Sequence, residues 1–111
     1  MIKATMLVPM RDNYGQQISP NEIGRCLHSI VELCGGYTRS EPLYTGVYKD
    51  VQGKMYFDTL FSLMVCCEPP KLPQLKLIAA DIAKVCRQKC LYFEYHEVYL
   101  DFIEPGESNH V

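Results

Sequence analysis

The chain has 111 residues, with 48% apolar and 22% charged. That is the size and composition of one folded domain and not of a disordered segment. Its formal net charge of -2 and pI of 5.9 provide no basic excess, so the counterion release that drives nonspecific nucleic-acid binding is missing and nucleic acid is disfavoured as a partner. Its apolar runs fall short of the ~20 residues a membrane helix needs. The opening "MIKATMLVPM" lacks the apolar core and cleavage site of a signal peptide, so a cytoplasmic protein with no membrane contact is expected.

Residues 2–8 alternate, with Ile2, Ala4, Met6 and Val8 on one face and Lys3, Thr5 and Leu7 on the other, which predicts a strand. Pro9 ends it, and "RDNYGQQ" reads as a polar loop. Ser19, Pro20 and Glu22 then announce a helix: a capping hydroxyl, a proline suited to the first position, and a capping-box carboxylate. Ile23, Leu27, Ile30, Val31 and Cys34 follow at helical spacing as its buried stripe.

Gly35 and Gly36 come after this helix. A phosphate-binding loop needs its glycines before a helix, where free N–H groups and the positive dipole end meet the anion. Gly35 is therefore expected to stop the helix in a left-handed conformation, and Gly36 to let the chain pass close under a sheet. Residues 43–48 predict a short strand, "KDVQG" a hairpin turn, and residues 55–65 the longest strand. Its core face would carry Met55, Phe57, Thr59, Phe61, Leu63 and Val65. Pro69, Pro70 and Pro73 break the chain before a second helix, whose stripe is Leu75, Ile78, Ala79, Ile82, Val85 and Cys86. The last strand is expected over residues 91–103, with a bulge near His96 or Glu97 where its apolar set changes face.

Strand, helix, strand, strand, helix, strand defines an α+β class: a ferredoxin-like βαββαβ sandwich, its four-stranded antiparallel sheet carrying both helices on one face. Residues 1–104 would be one domain and 105–111 a flexible C-terminal tail. The helix ending in "GGYT", the "GVY" strand, the glycine hairpin and the aromatic last strand resemble small bacterial proteins of this fold with no established activity. Length, layout and "PLYTGVY" are also loosely similar to the CutA and P-II groups of trimeric ferredoxin-like proteins. A histidine–proline–tyrosine segment after the second helix and a nucleotide loop between the middle strands are absent, so the resemblance implies a fold and not those groups' ligands.

Six cysteines, Cys26, Cys34, Cys66, Cys67, Cys86 and Cys90, sit mostly within apolar periodic segments and are expected to be reduced and structural. Zinc-type paired C-x-x-C spacing is missing. A helix of ~15 residues would hold Cys66 and Cys67 ~22 Å from Cys86 and Cys90, so no metal or cofactor is expected, although Cys34 could meet Cys66 and Cys67 at one edge. His28 is expected as a half-exposed packing residue and His110 belongs to the tail. His96, flanked by Glu94 and Glu97, is a candidate ligand contact. So are Arg11 and Arg87, which the topology gathers with Asp12, Asn13, Tyr14 and the hairpin at residues 50–54.

The most informative feature is the sheet face turned away from the helices. It carries Leu7, Tyr44, Tyr48, Tyr56, Leu60, Met64 and Tyr92, where a solvated sheet would alternate to polar residues. Such a patch marks an interaction surface, and tyrosine and methionine are enriched in interface cores. RNA recognition also uses aromatics on this face of this fold, but Asp58 would interrupt the stacking platform and the chain is acidic. The reading is a binding or interaction protein, more a homo-oligomer than an enzyme. The alternative is a dimeric α+β barrel enclosing a small molecule, as a binding protein or enzyme, with His96 or tyrosines as polar contacts.

Overall fold

In a computed structural model the chain runs β1 (Ile2–Pro9), α1 (Pro20–Cys34), β2 (Thr38–Lys49), β3 (Met55–Cys67), a 3-10 turn at Pro69–Lys71, α2 (Leu72–Val85) and β4 (Tyr92–Glu97). The structure describes residues 1–106, with Pro42 and Leu43 described by backbone alone. Residues 107–111, including His110 and most of the expected tail, lie outside the described residues. The four strands form one antiparallel sheet in the order β2-β3-β1-β4, the ferredoxin-like arrangement that the element order predicts. An isolated bridge between Arg11 and Gln17 ties the loop after β1.

The core lies between the sheet and the two helices. β1 contributes Ile2, Ala4, Met6 and Val8, and β3 contributes Phe61, Leu63, Val65 and Cys67. Above them sit Cys26 and Ile30 of α1 and Leu75, Ala79 and Ile82 of α2, with Cys86 just past its end. Fully burying each large aliphatic side chain stabilises the fold by about 1.5–3 kcal/mol. Ile23, Leu27, Ile30 and Cys34 of α1 lie on this core as expected, but the stripe is turned slightly so that Val31 leaves it. Its buried line is Cys26–Ile30, while Val31, one step of about 100° further round, is 41% exposed.

Both ends of α1 follow their local signals. The Ser19 hydroxyl accepts a bond from the Glu22 backbone N–H. Gly35 adopts φ 89° and donates its N–H to the Val31 carbonyl at 2.8 Å. Gly36 does not approach the sheet: a Cβ built on it would meet nothing within 4 Å. Pro73 does not precede α2 but lies in its first turn, where a missing N–H leaves no helical bond unmade.

Strand lengths depart from the pattern because each strand is as long as its partner allows. β4 does not bulge at His96 or Glu97; it ends there. Its neighbour β1 begins at Ile2, paired with Glu97, and the last bond of the ladder runs from the Val98 N–H to the Met1 carbonyl. β2 is longer than expected, since β3 offers partners as far as Met64, and a bulge between Ser40 and Tyr44 absorbs the mismatch. Together β2 and β3 outrun both helices. Their hairpin projects as an arm, and the molecule is 64 Å long against 31 and 27 Å across. Met55, Phe57 and Thr59 therefore face the helix side without being covered, Phe57 being 72% exposed. Asp50 closes the arm by accepting the Gln52 and Lys54 N–H groups on one carboxylate oxygen, with Gly53 at φ 87°. Among the described residues, no helix is long and apolar enough to cross a membrane.

Candidate functional site on the open sheet face

Strand alternation places alternate residues of each strand on the face opposite the helices. The registers then set them side by side: Tyr44 beside Leu60 beside Pro9, Ser62 beside Leu7 beside Tyr92, and Met64 beside Thr5 beside Glu94. Tyr48 and Tyr56 pair on the arm. All seven side chains expected on this face, Leu7, Tyr44, Tyr48, Tyr56, Leu60, Met64 and Tyr92, are on it. Tyr44, Tyr48 and Tyr92 are exposed, while the other four are half-buried by their neighbours.

Polar groups tether the aromatic ones. The Tyr56 hydroxyl donates to Asp50 at 3.4 Å, and Lys54 Nζ lies 5.0 Å from the Tyr56 ring centroid. The Tyr92 hydroxyl donates to Glu94 at 2.9 Å; that bond and the carboxylate's charge push the phenol pKa up. Asp58 stands among these groups, opposite Gly46, and burial pushes its carboxyl pKa above the ordinary value. The loop between α2 and β4 closes one side, so that Leu7, Leu60, Tyr48 and Tyr92 line a groove of 420 Å³ with Asp58, Lys89 and Cys90.

Gly46 belongs to this site although its role is not read from the sequence. A Cβ there would come within 2.9 Å of Leu60 Cδ1, so any other residue would make the Leu60 side chain shift from its place across β2. A glycine inside a strand is the available signal for such an approach.

The candidate ligand contacts separate into two places. Asp12 is buried, and one of its oxygens accepts the Tyr14 and Gln16 N–H groups at 2.8 and 2.9 Å. The other lies 3.7 Å from Arg87, while Arg11 donates to the Gly15 carbonyl at 2.9 Å. This loop and residues 54–59 of the arm border a cleft of 500 Å³. His96 is not there. It faces Lys3 at the other end of β1, roughly 25 Å away at ~3.3 Å per strand residue. His28 is more exposed than expected and pairs with Glu32 at 3.3 Å.

All six cysteines are free. The Cys34 and Cys67 thiols are neighbours; burial, with Cys67 beside it, pushes the Cys34 pKa to about 11. Burial, with Cys26 nearby, pushes Cys86 to about 12. Cys66 alternates to the open face. Among the described residues, no group of three or more His, Cys, Asp or Glu side chains is placed to hold a metal ion.

Comparison of the folded chain with solved structures returns the same architecture. A phage SAM lyase in complex with S-methyl-5'-thioadenosine is similar over 86% of this chain and 80% of its own, at 10% identity and TM-score 0.67. The divalent cation tolerance protein CutA of Thermus thermophilus covers 92% of this chain and 88% of its own, at 17% identity and TM-score 0.62. A PII-like CutA from Nostoc covers 88% and 81%, at 17% identity and TM-score 0.58. No protein-family model and no curated protein sequence matches the chain. The chain thus has the ferredoxin-like fold of the CutA and PII-like proteins, as the sequence resemblance implies.

Proposed function

We propose that this protein is a small cytoplasmic interaction module, residues 1–104, that self-associates through its open sheet face. The observation that carries the reading is the concentration of Leu7, Tyr44, Tyr48, Tyr56, Leu60, Met64 and Tyr92 on one uncovered surface. A sheet that evolved to face water would alternate to charged and hydroxyl side chains there. Similarity in fold to CutA proteins is compatible with an assembling protein and adds no ligand.

The test is a charge at the centre of the patch. Burying an unpaired carboxylate costs several kcal/mol, enough to open a modest interface. Leu60→Glu should shift the protein toward monomer in light scattering while far-UV circular dichroism stays folded, and Leu60→Met should leave the assembly intact. A wild type already monomeric at micromolar concentration would overturn the reading.

The groove beside Asp58 and Tyr92 favours a second reading, in which this face holds a small molecule. Its 420 Å³ lies within the size range of ligand pockets. A thermal-shift screen that includes S-methyl-5'-thioadenosine tests it: saturable stabilisation lost in Tyr92→Ala supports a ligand, and no shift across the screen removes it.

A further inference from the structure

Past β4 the chain carries apolar side chains that no described residue covers. Tyr99, Phe102 and Ile103 are 109%, 84% and 86% exposed, and residues 98–104 read Val-Tyr-Leu-Asp-Phe-Ile-Glu, with the strand-forming types that pair well in a sheet. Beside them β4 is the edge strand of the sheet, with β1 as its one partner strand among the described residues. Because Val98 donates to Met1, antiparallel alternation turns the N–H and C=O groups of Phe93 and Tyr95 away from β1 toward open space. Between that free edge and α2 runs a groove of 660 Å³, floored by Ala80, Ala83, Leu91 and Phe93. Lys76, Lys84 and Lys89 rim it, and they form no salt bridge among the described residues.

A sheet edge next to a helix, with an apolar floor between them, is the geometry that accepts an added strand. We propose that residues 99–103 of one chain add as a fifth strand to the β4 edge of a second copy. On that strand Leu100 and Phe102 share the face that enters the α2–β4 groove, and Glu104 on the same face approaches its lysines. The occupant cannot be the chain's own tail. To return along β4 it would have to reverse directly after Glu97, and tight hairpins need glycine or asparagine there; the residues present are Val98, Tyr99, Leu100 and Asp101. The first glycine, Gly106, comes after the apolar run has ended. This contact lies on the helix side of the β4 edge, meeting the open-face groove only at the loop of Gln88–Leu91, and does not depend on the association proposed there.

The experiment titrates a synthetic peptide of residues 98–106 into a chain truncated after Val98, followed by amide NMR. The expected result is saturable binding that shifts the Phe93 and Tyr95 amides and α2 resonances. It should weaken about tenfold in Lys84→Glu/Lys89→Glu, as lost charge pairing predicts, and stay unchanged in Leu60→Glu. No binding at millimolar peptide, or shifts confined to the β2 edge, would overturn the proposal. Should the truncated chain not fold, hydrogen exchange of the intact chain decides. Protection of residues 99–103 that grows with protein concentration and vanishes in Phe102→Asp supports exchange between copies, whereas protection independent of concentration, or absent throughout, overturns it.

Discussion

Tyr48 and Tyr56 stand directly opposite each other across the β2–β3 ladder, their ring centroids 4.9 Å apart and their planes 11° from parallel. The arm that carries them lies beyond the helices, so it has no core beneath it. Its order must come from cross-strand pairs such as this one and from the Asp50 turn. A double-mutant cycle over Tyr48→Ala and Tyr56→Ala should return a coupling of about 0.5–1.5 kcal/mol. Hydrogen exchange should quicken along the arm in either single variant and stay slow at Met6 and Leu63, which anchor the core.

The two adjacent glycines should behave oppositely. Gly35→Ala forces a Cβ into a left-handed conformation and should destabilise by about 1 kcal/mol. Gly36→Ala meets no neighbour and no positive φ, so it should be neutral or slightly stabilising through a less flexible unfolded chain. Urea midpoints of the two variants check this, and equal losses would contradict the capping role.

Asp58 makes stability depend on pH. Burial raises its folded pKa above the ordinary 3.8, so the native state prefers the protonated acid. Stability from this group is complete below 3.8 and is lost as pH rises through the raised folded value. Asp58→Asn should therefore be more stable than wild type at pH 7, with the gap closing as both are acidified below that ordinary value. Urea denaturation at a series of pH values measures it.

Thiol reactivity should follow burial. Cys90 is exposed and should react first with a disulfide reagent at pH 8, while buried Cys86, pushed up to about 12, should wait for unfolding because the thiolate is the reactive form. Mass spectrometry of peptides from a timed reaction gives the order. Early labelling of Cys86 would mean that the helix-to-sheet core opens far more readily than its packing implies.

What the sequence determines by itself is the direction in which side chains point. Alternation through residues 2–8 and 55–65 assigned Met6, Leu63 and Val65 to the core and Leu60, Met64 and Tyr56 to the open face. The left-handed stop at Gly35 and the Ser19 cap are equally local: each depends on a few adjacent residues and needs no distant partner. The element order carried the topology for the same reason, since few antiparallel arrangements connect six such elements.

Tertiary structure alone decided where each element ends and what meets what. β4 stops at Glu97, opposite Ile2 where its partner strand β1 begins, although the apolar pattern runs on to Ile103. Phe57 stays in the open because the helices above β3 stop short of it, a fact about lengths elsewhere in the chain. The approach of Arg87 to Asp12, the Cys34–Cys67 contact and the fit of Leu60 over Gly46 join residues 14 to 75 positions apart. Periodicity reports the face of a strand within two residues, but a ladder or an ion pair requires its partner's position, which exists only once the chain has folded.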